Sequence, residues 1–221
     1  MINVIQDIDI HLEAWQTHTP NDGSGIGGAE PTTFNTNLFG NTRTCVVGGP
    51  AWATFMAYAS GHAAPWLPVV ETTFELATDA AIEQANLLEL DLMATDNAGN
   101  LYNGSFQLLH DPATGIWKLQ FADDKGEWWD SGLAMPPLQP NTHYGIIITH
   151  KWDTATKTIV PVTVTLSNGT VYTPVNPPVY TAQPSTWAVA TANTQVQLTV
   201  ASAPGQYGIE LRNVSRKWMA A

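Results

Sequence analysis

From residue 69 to residue 218 the sequence repeats one pattern, in which short runs of alternating apolar and polar residues are separated by turn residues. In one such run Trp117, Leu119 and Phe121 alternate with polar or small side chains. Successive side chains of a β-strand point to opposite faces, so each run predicts a strand with one apolar face. Many such strands at even spacing, without a long helical period, predict an all-β sandwich or barrel.

The predicted strands cover residues 69–77, 87–95, 105–110, 116–122, 144–152, 158–166, 170–173, 195–201 and 208–218. Asn168-Gly169 lies between two of them and is typical of a two-residue hairpin turn. Residues 174–184 contain four prolines and are predicted to form a loop.

The first 65 residues are the least regular part of the chain. Residues 44–47 and 51–59 favour strands, residues 1–15 fit an edge strand or a short helix, and residues 19–31 are predicted to form a loop. Residues 79–84 fit one helical turn. A length of 221 residues suits a single all-β domain, so we assign residues 1–221 to one domain.

The composition limits the partners of the chain. Charged residues make up 12% of it, against a usual share of about a quarter, and the net charge is −11. A chain this acidic is a poor match for the phosphates of a nucleic acid or for an anionic membrane. No apolar run is long enough to span a bilayer. We therefore expect no nucleic-acid partner and no membrane insertion.

The compartment is predicted from cysteine content and polarity. Cys45 is the single cysteine, so no internal disulfide can form, and its apolar surroundings predict a buried thiol. The first 15 residues lack the basic and apolar regions of a signal peptide. Thr, Asn, Ser and Gln supply most of the polarity, as in extracellular β-proteins. We expect a secreted bacterial protein, extracellular or periplasmic, whose signal peptide is absent from this chain; a cytoplasmic location is the alternative.

One strand carries two acids. Residues 87–94 read LLELDLMA, which places leucines on one face and Glu89 and Asp91 on the other. The two carboxylates are either half of a sugar-cleaving site or hydrogen-bonded groups on a polar sheet face.

Other predicted strands carry polar residues in phase with this acidic face. We predict a carbohydrate-binding face formed by Glu89, Asp91, Gln107, Gln195 and Gln197. Trp128 and Trp129 are adjacent in a strand and must point opposite ways, so one of them can be exposed and stack on a sugar ring.

A turn rich in oxygen ligands suggests a structural calcium ion. Asp96, Asn97 and Asn100 supply carboxylate and amide oxygens, which calcium prefers, although the turn lacks the spacing of an EF-hand. The six histidines show no His-x-x-x-His spacing. No other cofactor is predicted.

Seven short motifs follow one another, and they read LELDL at 88–92, GIW at 115–117, PNTHY at 140–144, HKWD at 150–153, LSNG at 166–169, QVQL at 195–198 and GIELRNVS at 208–215. Their order resembles that in the concanavalin A-like lectin/glucanase superfamily. This resemblance implies a laminin-G-like jelly roll of two curved antiparallel sheets, whose concave face binds sugars in lectins, carbohydrate-binding modules and glucanases. It also implies that the first 65 residues supply at least one strand, because jelly rolls pair their first and last strands.

The glucanases of this superfamily resemble the chain at the acidic strand. Their motif needs a nucleophilic Glu, a helper Asp and a second Glu as acid/base, and retaining hydrolysis needs two carboxyls about 5–5.5 Å apart. Glu89 and Asp91 fit the first two positions. The third falls on Ala94, or on Met93 in a strand without a bulge, and neither can donate a proton.

The uronate lyases of the same fold resemble one another in using a Tyr and a His, helped by Gln and Arg. Gln107 and His110 lie three residues apart, so an unbulged strand sends them to opposite faces, and His150 lies on another strand. Only eight basic residues are present to neutralise a uronate.

We therefore predict a non-catalytic domain that binds an oligo- or polysaccharide. The alternatives are a glycoside hydrolase or polysaccharide lyase of the same fold, whose acid comes from another strand, and a structural or adhesion domain without a sugar site.

Overall fold

The structure is a computed structural model. It describes the backbone of residues 4–9, 16–18, 31–36, 42–49, 54–63, 66–78, 85–123, 125, 127–135, 137–188, 191–200 and 205–220. Side chains are described from residue 66 onwards, except at 85–86, 194–200, 205–209 and 211.

The described residues form eighteen strands. In chain order they are β1 (Val4–Asp9), β2 (Gln16–His18), β3 (Pro31–Thr36), β4 (Thr42–Gly49), β5 (Thr54–Ala63), β6 (Val69–Thr78), β7 (Ala85–Thr95), β8 (Asn100–Asn103), β9 (Phe106–Asp111), β10 (Ile116–Ala122), β11 (Trp128–Met135), β12 (Tyr144–Asp153), β13 (Thr158–Leu166), β14 (Val171–Tyr172), β15 (Tyr180–Thr181), β16 (Gln183–Pro184), β17 (Thr191–Val200) and β18 (Gly205–Met219). No helix among the described residues is long and apolar enough to cross a membrane.

The strands form two nine-stranded sheets, and every pairing in them is antiparallel. Sheet 1 has the order β14-β13-β12-β6-β18-β4-β3, with β1 beside β18 and β15 beside β13. Sheet 2 has the order β11-β10-β9-β7-β17-β5-β2, with β8 beside β7 and β16 beside β8. The chain is therefore the all-β, two-sheet antiparallel sandwich that the sequence predicts.

The main core lies between the sheets. Phe74 on β6 and Ile146 on β12 come from sheet 1, whereas Leu90 on β7 and Phe106 on β9 come from sheet 2, and all four are fully buried. The rings of Phe74 and Phe106 are 5.9 Å apart, which joins the two sheets directly. Burial of these apolar faces is the main free energy that holds the sheets together.

A second cluster of four aromatic rings lies at another part of the sandwich. The ring of Trp66 is 4.8 Å from Tyr102, 5.3 Å from Trp152 and 5.7 Å from Trp218. Trp152 and Trp218 are buried. Trp66 precedes β6 and is only partly buried.

Most predicted strands are confirmed. The hairpin at Asn168-Gly169 is present, with Gly169 at φ +86° and its N–H donating to the carbonyl of Leu166 at 2.9 Å. The first strand pairs with the last, because β1 lies antiparallel to β18; residues 4–9 are thus an edge strand rather than a helix. The side chain of Cys45, residues 19–30 of the predicted loop and residues 79–84 lie outside the described residues, and residue 31 begins β3.

The prediction of an uninterrupted loop at residues 174–184 is wrong. Strands β15 and β16 lie in this segment; β15 pairs with β13, and β16 pairs with β8. Both are short edge strands, where a proline can be accommodated because not every N–H faces a partner strand. The prolines therefore limit the length of these strands without preventing them.

We expect Val164→Ala to lower the free energy of unfolding by about 2 kcal/mol, because it removes buried methyl groups and leaves a cavity. Val164 on β13 is 1% exposed. The matched control is Val171→Ala on the paired strand β14, where the side chain is 56% exposed. Urea denaturation of both variants tests this, and equal losses would contradict the assignment of Val164 to the core.

Candidate functional site

The acidic strand β7 lies in the middle of sheet 2, between β9 and β17. Its leucines face the core, so Glu89 and Asp91 lie on the opposite face, which we call the outer face of sheet 2. Glu89 is partly buried, and Asp91 is only 7% exposed. Two carboxyl groups are thus held side by side in a largely desolvated position.

Pairing between strands extends this polar position across the sheet. Glu89 pairs with Gln107 on β9 and with Gln197 on β17. Gln120 on β10 pairs with Gln107 and with Asp130 on β11. Directly paired residues share a face, so these five form one line, which we call the polar row. Four strand spacings of about 4.8 Å make the row about 19 Å long.

Three of the five predicted polar residues, Glu89, Gln107 and Gln197, lie in the polar row. The other two, Asp91 and Gln195, pair with each other on the same face beside the row. The side chains of Gln195 and Gln197 lie outside the described residues, so their register alone places them. All five predicted polar positions fall on adjacent strands of one sheet.

Gln107 is the most buried amide of the polar row, at 4% exposure. Its Nε2 donates to Oε1 of Gln120 at 2.5 Å. Its own Oε1 is buried and has no hydrogen-bond partner among the described residues. Leaving a buried acceptor unpaired costs about 1–3 kcal/mol.

The two carboxyl groups on β7 cannot both ionise readily. Burial, followed by the negative charge of Asp91 and a hydrogen bond between the two side chains, raises the pKa of Glu89 to about 9. Close carboxylates repel one another, and one of them keeps its proton. At neutral pH the pair therefore offers both a donor and acceptors.

Trp128 and Trp129 point to opposite faces of β11. Trp129 pairs with Phe121, and their rings are 6.4 Å apart at the edge of the main core. Trp128 pairs with Ala122, two residues from Gln120, so Trp128 shares the outer face with the polar row. Of the two predicted stacking residues, Trp128 is the one on this face.

An irregularity in β11 positions the end of the polar row. Leu119 pairs with Leu133, and the next residue, Gln120, pairs with Asp130, so Ser131 and Gly132 have no counterpart on β10. The hydroxyl of Ser131 donates to the carbonyl of Leu119 at 2.5 Å, and Gly132, at φ +69°, donates its N–H to Oδ1 of Asp130 at 2.9 Å. These bonds fix a bulge.

The positions that would carry catalysis are placed as follows. Ala94 is fully buried, and Met93 shares the outer face with Glu89 and Asp91. Glu89 and Asp91 are hydrogen-bonded to each other, whereas a retaining or inverting glycosidase places a sugar carbon or a water between its two carboxyl groups. Among the described residues of β7, β9, β10 and β11, no further carboxyl group is a direct cross-strand neighbour of Glu89.

The histidines considered for a lyase face the interior. His110 pairs with Trp117 and stacks on it at 4.7 Å, whereas Gln107 three residues earlier faces outwards. His150 in sheet 1 is 2% exposed. Burial, with the charge of Arg216 adding to it, lowers the pKa of His150 to about 3, so this imidazole is neutral.

The carboxylate of Asp96 organises its own turn. Its Oδ1 accepts the N–H groups of Ala98 and Asn100 at 2.8 and 2.9 Å, and its Oδ2 accepts the hydroxyl of Tyr102 at 3.1 Å. The amide of Asn100 donates to both oxygens, and Asn97 is exposed. In the part of the chain that is described, no group of three or more His, Cys, Asp or Glu residues could hold a metal ion.

Gln120 and Asp130 belong to the polar row, but sequence reasoning did not include them among the site residues. Gln120 has the correct phase within its strand, which is a usable signal. Its neighbours depend on strand order and register, however, and the bulge in β11 sets the position of Asp130.

No family model matches the chain, and no curated protein matches it. Among solved structures, the alginate lyase Aly36B is similar with a TM-score of 0.51 at 11% identity, covering 98% of each chain. The carbohydrate recognition domain of Emp47p has a TM-score of 0.52 at 8% identity, covering 100% of this chain and 97% of that one. The CBM2 module of the evolved Dit of Lactobacillus casei BL23 phage J-1 gives the same values.

At these identities the likeness concerns the fold. The similar structures support the two-sheet jelly-roll sandwich that the order of the sequence motifs predicts.

We expect the stability of the protein to fall as pH rises from about 5 to about 9. The folded state keeps a proton on Glu89 over this range, because its pKa is raised from 4.5 to about 9, whereas the unfolded chain releases it. Folding therefore binds a proton that is lost as pH passes the folded pKa. Glu89→Gln should flatten this part of the pH profile of unfolding free energy.

Urea denaturation of the wild type and the variant at pH 5, 7 and 9 measures the effect. Glu127→Gln, at an exposed turn residue, is the control and should follow the wild type. Parallel profiles for the wild type and Glu89→Gln would show that Glu89 ionises normally.

Proposed function

We propose that the protein is a non-catalytic carbohydrate-binding domain and that its sugar lies along the polar row on the outer face of sheet 2. The observation that carries this proposal is the row itself: five polar residues in register on five adjacent strands. A row about 19 Å long is matched to an extended oligo- or polysaccharide, which can place hydroxyl groups at each strand in turn.

The chemistry of the row suits hydroxyl groups. Each glutamine amide is both donor and acceptor, and the carboxyl pair holds one proton, so the row can donate to and accept from the same sugar. Trp128, at the β11 end, offers an aromatic face on which a pyranose can stack.

The charge of the face favours a neutral sugar over a uronate. Lys118 is the one cation on the outer face among the described residues of β7, β9, β10 and β11, and it lies close enough to Asp111 to interact with its charge. Asp91 and Asp130 would repel a carboxylated sugar. A neutral oligo- or polysaccharide is therefore the proposed partner.

The similar structures support the class of function. Two of them are named as a carbohydrate recognition domain and as a CBM2 module, and we carry that general role to this chain as part of the proposal. We also propose an extracellular or periplasmic bacterial location, supported by a surface whose polarity comes mainly from uncharged residues.

A glycan-active enzyme is the second candidate. The observation that favours it is the raised pKa of Glu89, since a carboxyl that stays protonated at neutral pH can act as a general acid. Against it stands the hydrogen bond between Glu89 and Asp91, because a glycosidase places a sugar carbon or a water between its two carboxyl groups.

A glycan array read beside a polysaccharide-degradation screen separates these functions. Gln120→Ala and Trp128→Ala should each weaken binding about tenfold, the loss expected for one hydrogen bond or one stacking contact. Glu89→Gln should bind within about threefold of the wild type, since the amide replaces a protonated carboxyl of similar shape. Gln139→Ala, at an exposed loop residue, is the matched control.

Soluble products that appear with the wild type and disappear with Glu89→Gln would identify an enzyme and overturn the binding-only proposal. Neither binding nor products would favour a structural or adhesion domain.

A further inference from the structure

A second concave site lies in sheet 1, away from the polar row. It is a cavity of about 320 Å³. Its walls come from the segment that leads into β6 and from the end of β12, and they are Trp66, Leu67, Pro68, Lys151, Trp152 and Asp153, with Thr154 beside them. The volume lies at the lower end of the range for small-molecule sites.

The aromatic wall of this cavity is fixed by the protein itself. The indole N–H of Trp66 donates to the carbonyl of Thr95 at 3.1 Å, and its ring packs on Tyr102 and Trp152. The backbone N–H of Trp152 donates to the carbonyl of Pro68 at 2.8 Å, which ties the entering segment to β12. A ligand would therefore meet a preformed surface.

Trp66 also has an unusual backbone conformation, at φ +58°. This left-handed region is unfavourable for a large side chain and costs of order 1–3 kcal/mol. The contacts of the indole with three rings hold the conformation in place. Strain of this kind concentrates at functional positions, where it sets the direction of a side chain.

The rim of the cavity is polar and close to neutral. Lys151 and Thr154 are exposed, and the carboxylate of Asp153 is oriented by the N–H groups of Ala155 and Thr156 at 2.8 and 3.1 Å. The charge of Lys151 acts on Asp153, so the two largely offset one another. The rim thus offers an ammonium donor, a carboxylate acceptor and a hydroxyl without a strong net charge.

We propose that this cavity is a second sugar site, which binds a single neutral pyranose ring. The ring's apolar face would pack on Trp66, and its hydroxyl groups would bond to Lys151, Asp153 and Thr154. An apolar wall beside paired donors and acceptors matches a molecule that is apolar on its faces and polar at its edge. A strongly charged ligand is a poorer match, because the rim charges already offset each other.

The test is saturation-transfer NMR on the full chain with a panel of methyl glycosides, followed by titration to a Kd for those that bind. Asp153→Asn keeps the acceptor for the turn N–H groups but removes the charge, and Lys151→Gln removes the ammonium. Each should weaken binding about tenfold. Trp66→Leu keeps an apolar wall without the aromatic face, and it should abolish the signal in a protein whose circular dichroism is unchanged.

Two controls separate this site from the polar row. Gln120→Ala removes a residue of the row, and Lys125→Gln removes an exposed lysine elsewhere; both should leave monosaccharide binding unchanged. A loss confined to Gln120→Ala would move the sugar to the polar row and overturn the second site. Absence of any signal would also overturn it. So would binding of glycine in place of the glycosides, because glycine carries an ammonium and a carboxylate that could pair with Asp153 and Lys151. None of these results would change polysaccharide binding at the polar row, because different residues form that site.

Discussion

The two-sided character of β7 is the constraint on which the structure depends. Its leucines complete the core between the sheets, and the same backbone must then present Glu89 and Asp91 on the other side. The strand cannot shift by one residue without burying carboxyl groups in the core. The hydrophobic packing that stabilises the sandwich therefore also fixes the position of the acidic pair and of the glutamines in register with it.

Partial burial gives this pair its chemistry. A carboxyl group on an open strand face would be ionised and would attract water, whereas Glu89 keeps a proton because it is desolvated beside Asp91. The pair resembles an amide in its hydrogen-bonding capacity, and it lies between two glutamines of neighbouring strands. The carboxyl pair and the two glutamines therefore offer similar hydrogen-bonding groups, although their residue types differ.

Local patterns are enough to predict most of the strands after residue 69, the inward leucines and the opposite orientations of Trp128 and Trp129. They could not decide which tryptophan faces outwards, because this depends on the pairing of β11 with β10. Gln120 and Asp130 were missed for the same reason, since their neighbours come from strand order. The strands β15 and β16 were missed because edge pairing compensates for the prolines around them.

The bulge in β11 has a consequence for how this face can change over time. Ser131 and Gly132 are an even number of extra residues, so the strand resumes with the same alternation that it would have had without them. Loss of both would shorten the edge and leave Trp128 and Asp130 facing outwards. Loss of one would exchange the two sides and bring Trp129 out in place of Trp128. An insertion or deletion here thus preserves the outer face only when it adds or removes an even number of residues.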